Sequence, residues 1–236
     1  MSSSTLKATV GRGLREAGAA LKNASGIEIF TRHRPNMMFW GVKPFKTNDT
    51  FIAPSASVIG NVTNWDESSV WYGAVVRADA HPITIGFSSN IQDRAVLNTL
   101  PSSVKGLQSG FPPVCHVGHY VSVGAGSVLV SCRVEDLVDI GEKCTIMEGA
   151  LVESNVILEP GTVVPAYARI PSGQRWGGNP AQFIANLNAD EKAAIETKAE
   201  EIHQQAREHN VEFLPYGNTY VHLEELEKKG VDAIQG

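Results

Sequence analysis

A strict six-residue repeat of branched aliphatic residues runs from residue 134 to residue 170 and limits the folds open to this chain. An α-helix repeats its apolar residues about every 3.6 positions and a half-buried strand about every second position, so neither explains this spacing. A sustained period of six is typical of a parallel β-helix, whose coils each contain three short strands. Residues eighteen apart then stack, which predicts that Ile140 lies beneath Leu158 and Val134 beneath Val152. The repeating positions are Val134, Ile140, Ile146, Val152, Leu158, Val164 and Ile170.

A second inward position follows each of these residues four places later. We expect it to hold small or slender side chains, because a narrow coil has no room for a large one there. The six-residue pattern continues imperfectly through the earlier coils. It predicts that Ala80 and Pro82 point inward, and it then shifts by three residues before it resumes at Ile85. In the regular region the second positions are Val138, Cys144, Ala150, Val156, Thr162 and Ala168.

The repeat and its limits predict an all-β solenoid with two flanking parts. Residues 52–175 are expected to form the β-helix, with a loop rich in Pro and Gly thrown out at 99–113. Residues 1–51 are expected to form an amphipathic segment and a lead-in, and residues 176–236 a helix and a docking tail.

The first 24 residues are basic, with four Lys or Arg and one acid, and they place apolar residues at helical spacing. Three interpretations fit this composition. The segment is a mitochondrial presequence, a retained helix on a membrane or partner surface, or a frayed tail weakened by its glycines.

A long helix is predicted near the C terminus. Asn188 followed by Glu191 resembles an N-cap with an acidic residue at the third helical position. The helix is expected over 189–208, where Ile195 and Ile202 are among the few large apolar residues. So narrow an apolar stripe favours packing against the side of the coil.

Charge and cysteine content exclude several classes of protein. A net charge of −5 without a basic run argues against nucleic-acid binding. The three cysteines Cys115, Cys132 and Cys144 are an odd set without Cys-x-x-Cys spacing, which argues against a disulfide framework or a thiolate zinc site. A reducing interior is therefore expected, and the absence of an eighteen-residue apolar run predicts no membrane-spanning helix.

Seven short motifs occur in order along the chain: Ala53-Pro-Ser-Ala-Ser-Val-Ile-Gly60, Val70-Trp-Tyr-Gly73, Arg77-Ala-Asp79, Asn90-Ile-Gln-Asp93, Arg169-Ile-Pro-Ser-Gly173, Trp176-Gly-Gly-Asn-Pro-Ala181 and Phe213-Leu-Pro-Tyr216. Together they resemble the gamma-class carbonic anhydrases, and more closely the gamma-carbonic-anhydrase-like subunits of mitochondrial respiratory complex I in plants and algae. The resemblance covers about Thr50 to Pro215. It implies a left-handed β-helix, a trimer and a C-terminal helix.

The resemblance also implies where a metal centre belongs. In catalytic members three histidines bind zinc at each subunit interface, two from one chain and one from its neighbour. Zinc-bound water then loses a proton and attacks carbon dioxide. The matched positions here are Asn98, Ala125 and Val130, which lack imidazoles. We therefore expect no zinc site, no cofactor and no catalytic residue in this chain.

Three further residues match family positions and are interpreted as interface residues. Arg77 and Asp79 are similar to an ion pair that spans the subunit interface, and Gln92 to a residue that orients water. Without a metal we expect them to serve assembly, because an arginine paired with a carboxylate sets register across an interface. Gln92 has the alternative of being a solvated residue of the coil.

The seven histidines do not rebuild the missing triangle. His119 has the phase of Ala125 but lies one repeat earlier, on another side of the coil. We expect His116 and His119 to lie at the surface or at an interface. The alternative is that the two histidines form a chance metal-binding pair near the loop. His81, which precedes Pro82, is expected at a corner. The others are expected to be solvated: His33, His203, His209 and His222.

The resulting hypothesis is a non-catalytic structural subunit of a gamma-carbonic-anhydrase heterotrimer. It would be peripheral to the mitochondrial inner membrane, on the matrix side of complex I. Its partners would be other gamma-carbonic-anhydrase subunits, membrane-arm subunits of the complex, and membrane lipid through the N-terminal segment. Two alternatives stay open: an active zinc carbonic anhydrase, and a hexapeptide-repeat acyltransferase that uses a histidine base.

Overall fold

Short parallel strands stack into a β-helix of about eight turns, followed by one long helix. The architecture is taken from a computed structural model that describes residues 33–47, 49–104, 106–108 and 112–212. The predicted class, an all-β solenoid of hexapeptide repeats with a C-terminal helix, is confirmed. The N-terminal amphipathic segment and the tail from Phe213 onward lie outside the described residues.

Each coil contributes one strand to each of three faces, which we number 1 to 3. Face 1 contains β3 (Phe51–Ile52), β5 (Ser69–Val70), β7 (Asn90–Ile91), β10 (Ser122–Val123), β13 (Val138–Ile140), β16 (Val156–Leu158) and β19 (Gln174–Gly177). An antiparallel strand, β20 (Gln182–Asn186), pairs with β19 and ends this sheet.

Two long strands pass through both remaining faces, namely β4 (Ser57–Asn64) and β6 (Val75–Ile85). Their first halves belong to face 2, with β1 (Asn36–Met37), β8 (Val96–Asn98), β11 (Val128–Val130), β14 (Thr145–Ile146) and β17 (Val163–Val164). Their second halves belong to face 3, with β2 (Phe45–Lys46), β9 (Cys115–Val117), β12 (Arg133–Val134), β15 (Leu151–Val152) and β18 (Arg169–Ile170).

The inward residues stack as the repeat predicts. Ile140 pairs with Leu158, and Val134 pairs with Val152, in neighbouring parallel strands. The seven repeating aliphatic residues are at most 1% exposed, and the small residue Ala150 fills a second inward position. Ala168, predicted at another second position, is only partly buried. Because the coil is narrow, these ladders form the entire interior of the solenoid.

The three-residue slip lies at the corner between faces 2 and 3. Gly60 pairs with Ala78 and Val62 with Ile83, so the extra residues fall within 79–82 of β6. The prediction that Ala80 and Pro82 point inward is wrong, because both are exposed members of this bulge. Ala78 and Ile83 are the buried residues on either side of it.

The paired strands extend beyond both predicted limits of the coil. β1 and β2 pair with β4 although they precede residue 52. The sequence did not predict β1 and β2 because residues 36–46 do not show the six-residue repeat. At the other end β19 runs to Gly177, past the expected limit at residue 175, in parallel pairing with β16.

The C-terminal helix α1 (Ala189–Glu212) packs on face 1, against β3, β7 and β10. Ile195 is buried in this contact with Ala199 and Ala206, and Ile202 is partly buried against the core, so the predicted placement on the side of the coil is confirmed. The helix runs four residues past the predicted end at 208. At the start of the helix the Glu191 carboxylate accepts a hydrogen bond from the Asn188 N–H at 2.8 Å. The predicted cap therefore satisfies a backbone donor that the helix leaves free.

Candidate functional site

Arg77, Asn98 and Val130 lie side by side at the ends of neighbouring strands on face 2. Arg77 pairs with Asn98 in β6 and β8, and Asn98 pairs with Val130 in β8 and β11. Adjacent strands of a sheet are about 4.8 Å apart. The residues before them are buried, so all three side chains point outward from the coil. Face 2 therefore brings two of the three family ligand positions together with the matched arginine.

Arg77 and Asp79 form an ion pair within the chain. The Arg77 Nε atom lies 2.9 Å from Asp79 Oδ2, and the two side chains are 50% and 35% exposed. Both stand on the same side of β6, two residues apart. An exposed pair of this kind contributes little to the stability of one chain. Its exposure leaves the pair accessible to another surface.

The side chains of Asn98, Ala125 and Val130, which the motif resemblance matches to zinc ligands, do not fit a zinc ion. Asn98 Oδ1 accepts a hydrogen bond from the Thr99 N–H at 2.9 Å, so the amide is turned toward its own backbone. Val130 and Ala125 offer no donor atom. Ala125 also lies apart from the other two, in the turn that follows β10. Zinc in proteins takes imidazole, thiolate or carboxylate ligands, and one neutral amide is no substitute.

No alternative metal cluster replaces them in the part of the chain that the structure describes. Within those residues, no group of three or more His, Cys, Asp and Glu side chains is arranged to hold an ion.

Gln92 lies at the corner between faces 1 and 2, beside the turn that carries Ala125. It is half-buried, and its N–H donates to the Val123 carbonyl at 3.0 Å. The neighbouring Asp93 Oδ1 accepts from the Tyr72 N–H at 3.0 Å. Burial, and then the Asp93 carboxylate, raise the pKa of the Tyr72 phenol. Gln92 is thus placed with Ala125 at one corner and not with Asn98 on face 2.

The insertions of the coil all emerge at the corner between faces 2 and 3. They are the turn at 38–44, the bulge at 79–82 and the loop at 99–114. His81 lies at this corner, as predicted, and its Nε2–H donates to the Val104 carbonyl at 3.0 Å. In solenoids insertions that cluster on one side often carry the binding function.

Ser131 fastens both ends of the 99–114 loop. Its hydroxyl donates to the Pro113 carbonyl at 2.8 Å and accepts from the Leu100 N–H at 2.9 Å. Leu107, in the described part of the loop, is 9% exposed. Leu107 and Pro112 line a cavity together with the face 3 residues Thr84, His116 and Leu151, so the described part of the loop lies against face 3.

His116 and His119 do not converge on a common ligand position. His116 is half-buried on β9, where burial and then the Arg133 guanidinium lower the pKa of its imidazole. His119 lies at the next corner, and its Nδ1 accepts a hydrogen bond from the Phe87 N–H at 2.9 Å. Because Nδ1 of His119 already accepts this hydrogen bond, its lone pair is not available to a metal ion. This argues against the alternative in which His116 and His119 form a ligand pair.

Two histidines expected to be solvated are instead packed between the helix and the coil. His209 lies among the rings of Phe51, Trp71 and Tyr72, with centroid distances of 6.2, 5.2 and 5.7 Å, and its Nδ1 is 2.8 Å from the Tyr72 hydroxyl. His203 Nδ1–H donates to the Glu67 carbonyl at 3.0 Å. The expectation that His203 and His209 are solvated was wrong because the face of α1 that packs on the coil includes histidines as well as aliphatic residues. The seven-residue spacing of Ile195, Ile202 and His209 contained the missing signal.

Comparison with known proteins identifies the family. Gamma carbonic anhydrase-like 1, mitochondrial, from Arabidopsis thaliana is 46% identical over 180 residues, which cover 76% of this chain and 70% of the relative. Gamma carbonic anhydrase 2, mitochondrial, from the same plant is 36% identical over 199 residues, covering 81% and 70%. This chain therefore belongs to the gamma carbonic anhydrase family. No family profile matches it.

Solved structures support the same architecture. A hexapeptide transferase family protein from Anaplasma phagocytophilum superposes with a TM-score of 0.66 at 27% identity, covering 73% of this chain and 96% of its own. A putative acetyltransferase from Bacillus cereus gives 0.67 at 26% identity, with 74% and 95% coverage. Among the described residues no helix is long and apolar enough to cross a bilayer.

Proposed function

We propose that this chain is a non-catalytic structural subunit of a gamma-carbonic-anhydrase heterotrimer on the matrix side of mitochondrial respiratory complex I. The observation that carries the proposal is the set of side chains at the family ligand positions. Asn98, Ala125 and Val130 present one neutral amide, and that amide is hydrogen-bonded to its own backbone. Hydration of carbon dioxide in this family requires zinc held by three imidazoles, so the chain has lost the means of catalysis while keeping the coil.

The remaining family residues fit a role in assembly. Arg77 and Asp79 stand exposed beside Asn98 on face 2. A planar guanidinium meets a carboxylate through paired hydrogen bonds, which fixes the register of two surfaces more than it stabilises them. In a trimer the Arg77–Asp79 pair would meet the neighbouring subunit and hold the faces in register.

The division of the ligand positions sets how many zinc sites a heterotrimer that contains this chain can hold. Asn98 and Val130 share face 2, whereas Ala125 lies at a separate corner. If each site takes two positions from one chain and one from its neighbour, this chain contributes to two interfaces of a trimer. Both interfaces would then lack a complete site. Two competent partner chains would leave one complete site in the assembly.

The cellular location is inferred from the relatives and from the thiols. The Arabidopsis relatives carry the word mitochondrial in their names. Cys115, Cys132 and Cys144 are free and buried, which fits a reducing interior. Attachment to complex I rests on the resemblance of the motifs. The part of that resemblance in the tail at Phe213 lies outside the described residues.

Metal analysis and a hydration assay on the purified chain test the loss of catalysis. We expect far less than one zinc per chain after equilibration with zinc and dialysis, and no carbon dioxide hydration above the buffer rate. A catalytic relative purified in parallel controls for metal loss during handling. Stoichiometric zinc with hydration activity would reject the proposal in favour of an active enzyme.

The acyltransferase alternative has one observation in its favour. The two solved structures with TM-scores of 0.66 and 0.67 are titled as a transferase family protein and a putative acetyltransferase. His116 is the histidine that lines a cavity of about 190 Å³ beneath the loop. Calorimetric titration with acetyl coenzyme A separates the two functions, because a structural subunit shows no binding.

A further inference from the structure

A tight turn at the first coil presents a tryptophan to the outside. Phe39 and Val42 exchange two backbone hydrogen bonds of 2.9 and 3.0 Å, which closes a turn whose central residues are Trp40 and Gly41. Their φ angles of 50° and 79° are both left-handed. For a tryptophan this conformation is strained, because the Cβ atom comes close to the following carbonyl oxygen. The indole at the tip is nevertheless 86% exposed, so burial in this chain does not offset that strain.

Three more exposed apolar side chains belong to the same short segment, and we call the four residues the apolar tip. Met38 is 63% exposed, Phe45 57% and Val42 44%. Isolated exposed apolar residues are ordinary, but a group within one short segment marks a surface that meets an apolar phase or a partner. The segment is anchored from behind, since Pro44 is buried and β1 and β2 both pair with β4.

A cationic cleft lies behind the apolar tip. It has an open volume of about 820 Å³, and its walls include Arg34, Lys43 and Lys46 together with Met38 and Phe45. No carboxylate lines it among the described residues, and none of the three cations forms an ion pair with another described residue. Residues 33–47 contain no acid, although the whole chain carries a net charge of −5.

We propose that the apolar tip and this cleft bind the anionic phospholipids of a bilayer surface. Aromatic and apolar side chains next to Lys and Arg match the boundary between acyl chains and headgroups. The indole would enter the bilayer surface at the level of the headgroups, and the three cations would meet lipid phosphates. Each cation near an anionic surface contributes about 1 kcal/mol.

A bilayer fits these residues better than a protein partner does. The tip is a turn closed by two backbone hydrogen bonds, its largest ring is 86% exposed, and the charges of residues 33–47 are of one sign. A lipid surface accepts such a shape without a matching groove. The inference goes beyond the proposed function and does not depend on it, because a zinc-binding enzyme with the same first coil would bind lipid equally.

Vesicle flotation of the full chain tests the proposal. The protein is mixed with vesicles of phosphatidylcholine alone, or of phosphatidylcholine with phosphatidylglycerol, at low and high salt. We expect binding to the anionic vesicles, release at high salt, and a blue shift of tryptophan fluorescence. Lys43→Ala with Lys46→Ala should weaken binding about fivefold for each lysine. Trp40→Gly should weaken it about tenfold or more and abolish most of the blue shift.

Matched variants keep the test decisive. Lys143→Ala with Arg207→Ala removes two exposed cations elsewhere and should leave binding unchanged. Trp40→Gly is not expected to unfold the chain, because glycine adopts the left-handed turn without strain. Equal binding to neutral and anionic vesicles, or binding that neither tip variant reduces, overturns the proposal. So does the absence of binding to either vesicle, which would assign the tip to a protein partner.

Discussion

Asn98 and Val130 lie opposite each other in β8 and β11, where the family resemblance places two zinc ligands of one chain. The backbone pairing that aligns these two positions is intact. The side chains at these two positions end in an amide and an isopropyl group. On the assignment that the resemblance implies, the coil would keep the alignment of two ligand positions without their imidazoles.

Restoring the donors should restore zinc binding. The triple variant Asn98→His, Ala125→His and Val130→His is expected to gain about one zinc per chain in a homotrimer, because the backbone already aligns the positions. Each single variant should gain none, since one imidazole does not hold the ion. Elemental analysis after dialysis measures the gain. If the triple variant folds, forms trimers and still takes up no zinc, the assignment of these positions is wrong.

The small second inward position should resist enlargement. Ala150 is 1% exposed inside the narrow coil, so Ala150→Leu is expected to lower the free energy of unfolding by about 1–3 kcal/mol or more. Ala193→Leu on the exposed side of α1 is the matched control and should change it by about 0.5 kcal/mol at most. Urea denaturation gives both values. Equal stability of the two variants would mean that the interior is not filled at this position.

His116 should make stability depend on pH near neutrality. Burial, and then Arg133, lower the pKa of this imidazole from its ordinary value of 6.5. The unfolded chain therefore takes up this proton at a higher pH than the folded chain does. As the pH falls through 6.5 toward the folded pKa, stability is lost, and below the folded pKa the loss stops growing.

NMR titration of the His116 ring protons measures this shift directly. Arg133→Gln should raise the pKa of His116, because it removes the second cause of the shift, whereas Arg207→Gln on the distant helix should not. In His116→Gln the corresponding part of the pH dependence should disappear. A His116 pKa at or above 6.5 in the folded protein would contradict the burial seen on β9.

Lys198 should fasten the helix to face 1. Its Nζ lies 2.7 and 2.8 Å from the two carboxylate oxygens of Asp139. Because the lysine side chain is 44% exposed, the pair is expected to contribute only about 0.5–1 kcal/mol. A double-mutant cycle with Lys198→Met and Asp139→Asn isolates the coupling energy. High salt should weaken it, and a coupling energy of zero would mean that this ion pair does not help to hold the helix on face 1.

Much of the fold could be predicted from the sequence because each coil buries the same kind of residue at the same positions of the repeat. Ile140 beneath Leu158 follows from a period of six, and no distant contact is needed to predict it. The prediction failed where residues depart from that period. Ala80 and Pro82 match the six-residue spacing only by coincidence. They belong to the bulge of β6, which adds three residues at one corner of the coil.

For the candidate site, the sequence shows which residues occupy the matched positions but not how their side chains are arranged. The absence of histidine at Asn98, Ala125 and Val130 is visible in the sequence, whereas the hydrogen bond from the Thr99 N–H to the Asn98 amide depends on the geometry of the corner. His209 was missed for a related reason. Its spacing from Ile195 and Ile202 places it on the apolar stripe of α1, but the rings it packs against belong to the strands that α1 covers, and the spacing does not specify those strands.

The zinc content of the native assembly tests the central claim most directly. An affinity-tagged copy of this chain, purified with its natural partners, is analysed by native mass spectrometry with metal left in place. The account predicts a trimer that contains this chain beside other gamma-carbonic-anhydrase subunits and holds one zinc ion or none. A homotrimer of this chain that retains three zinc ions would contradict it.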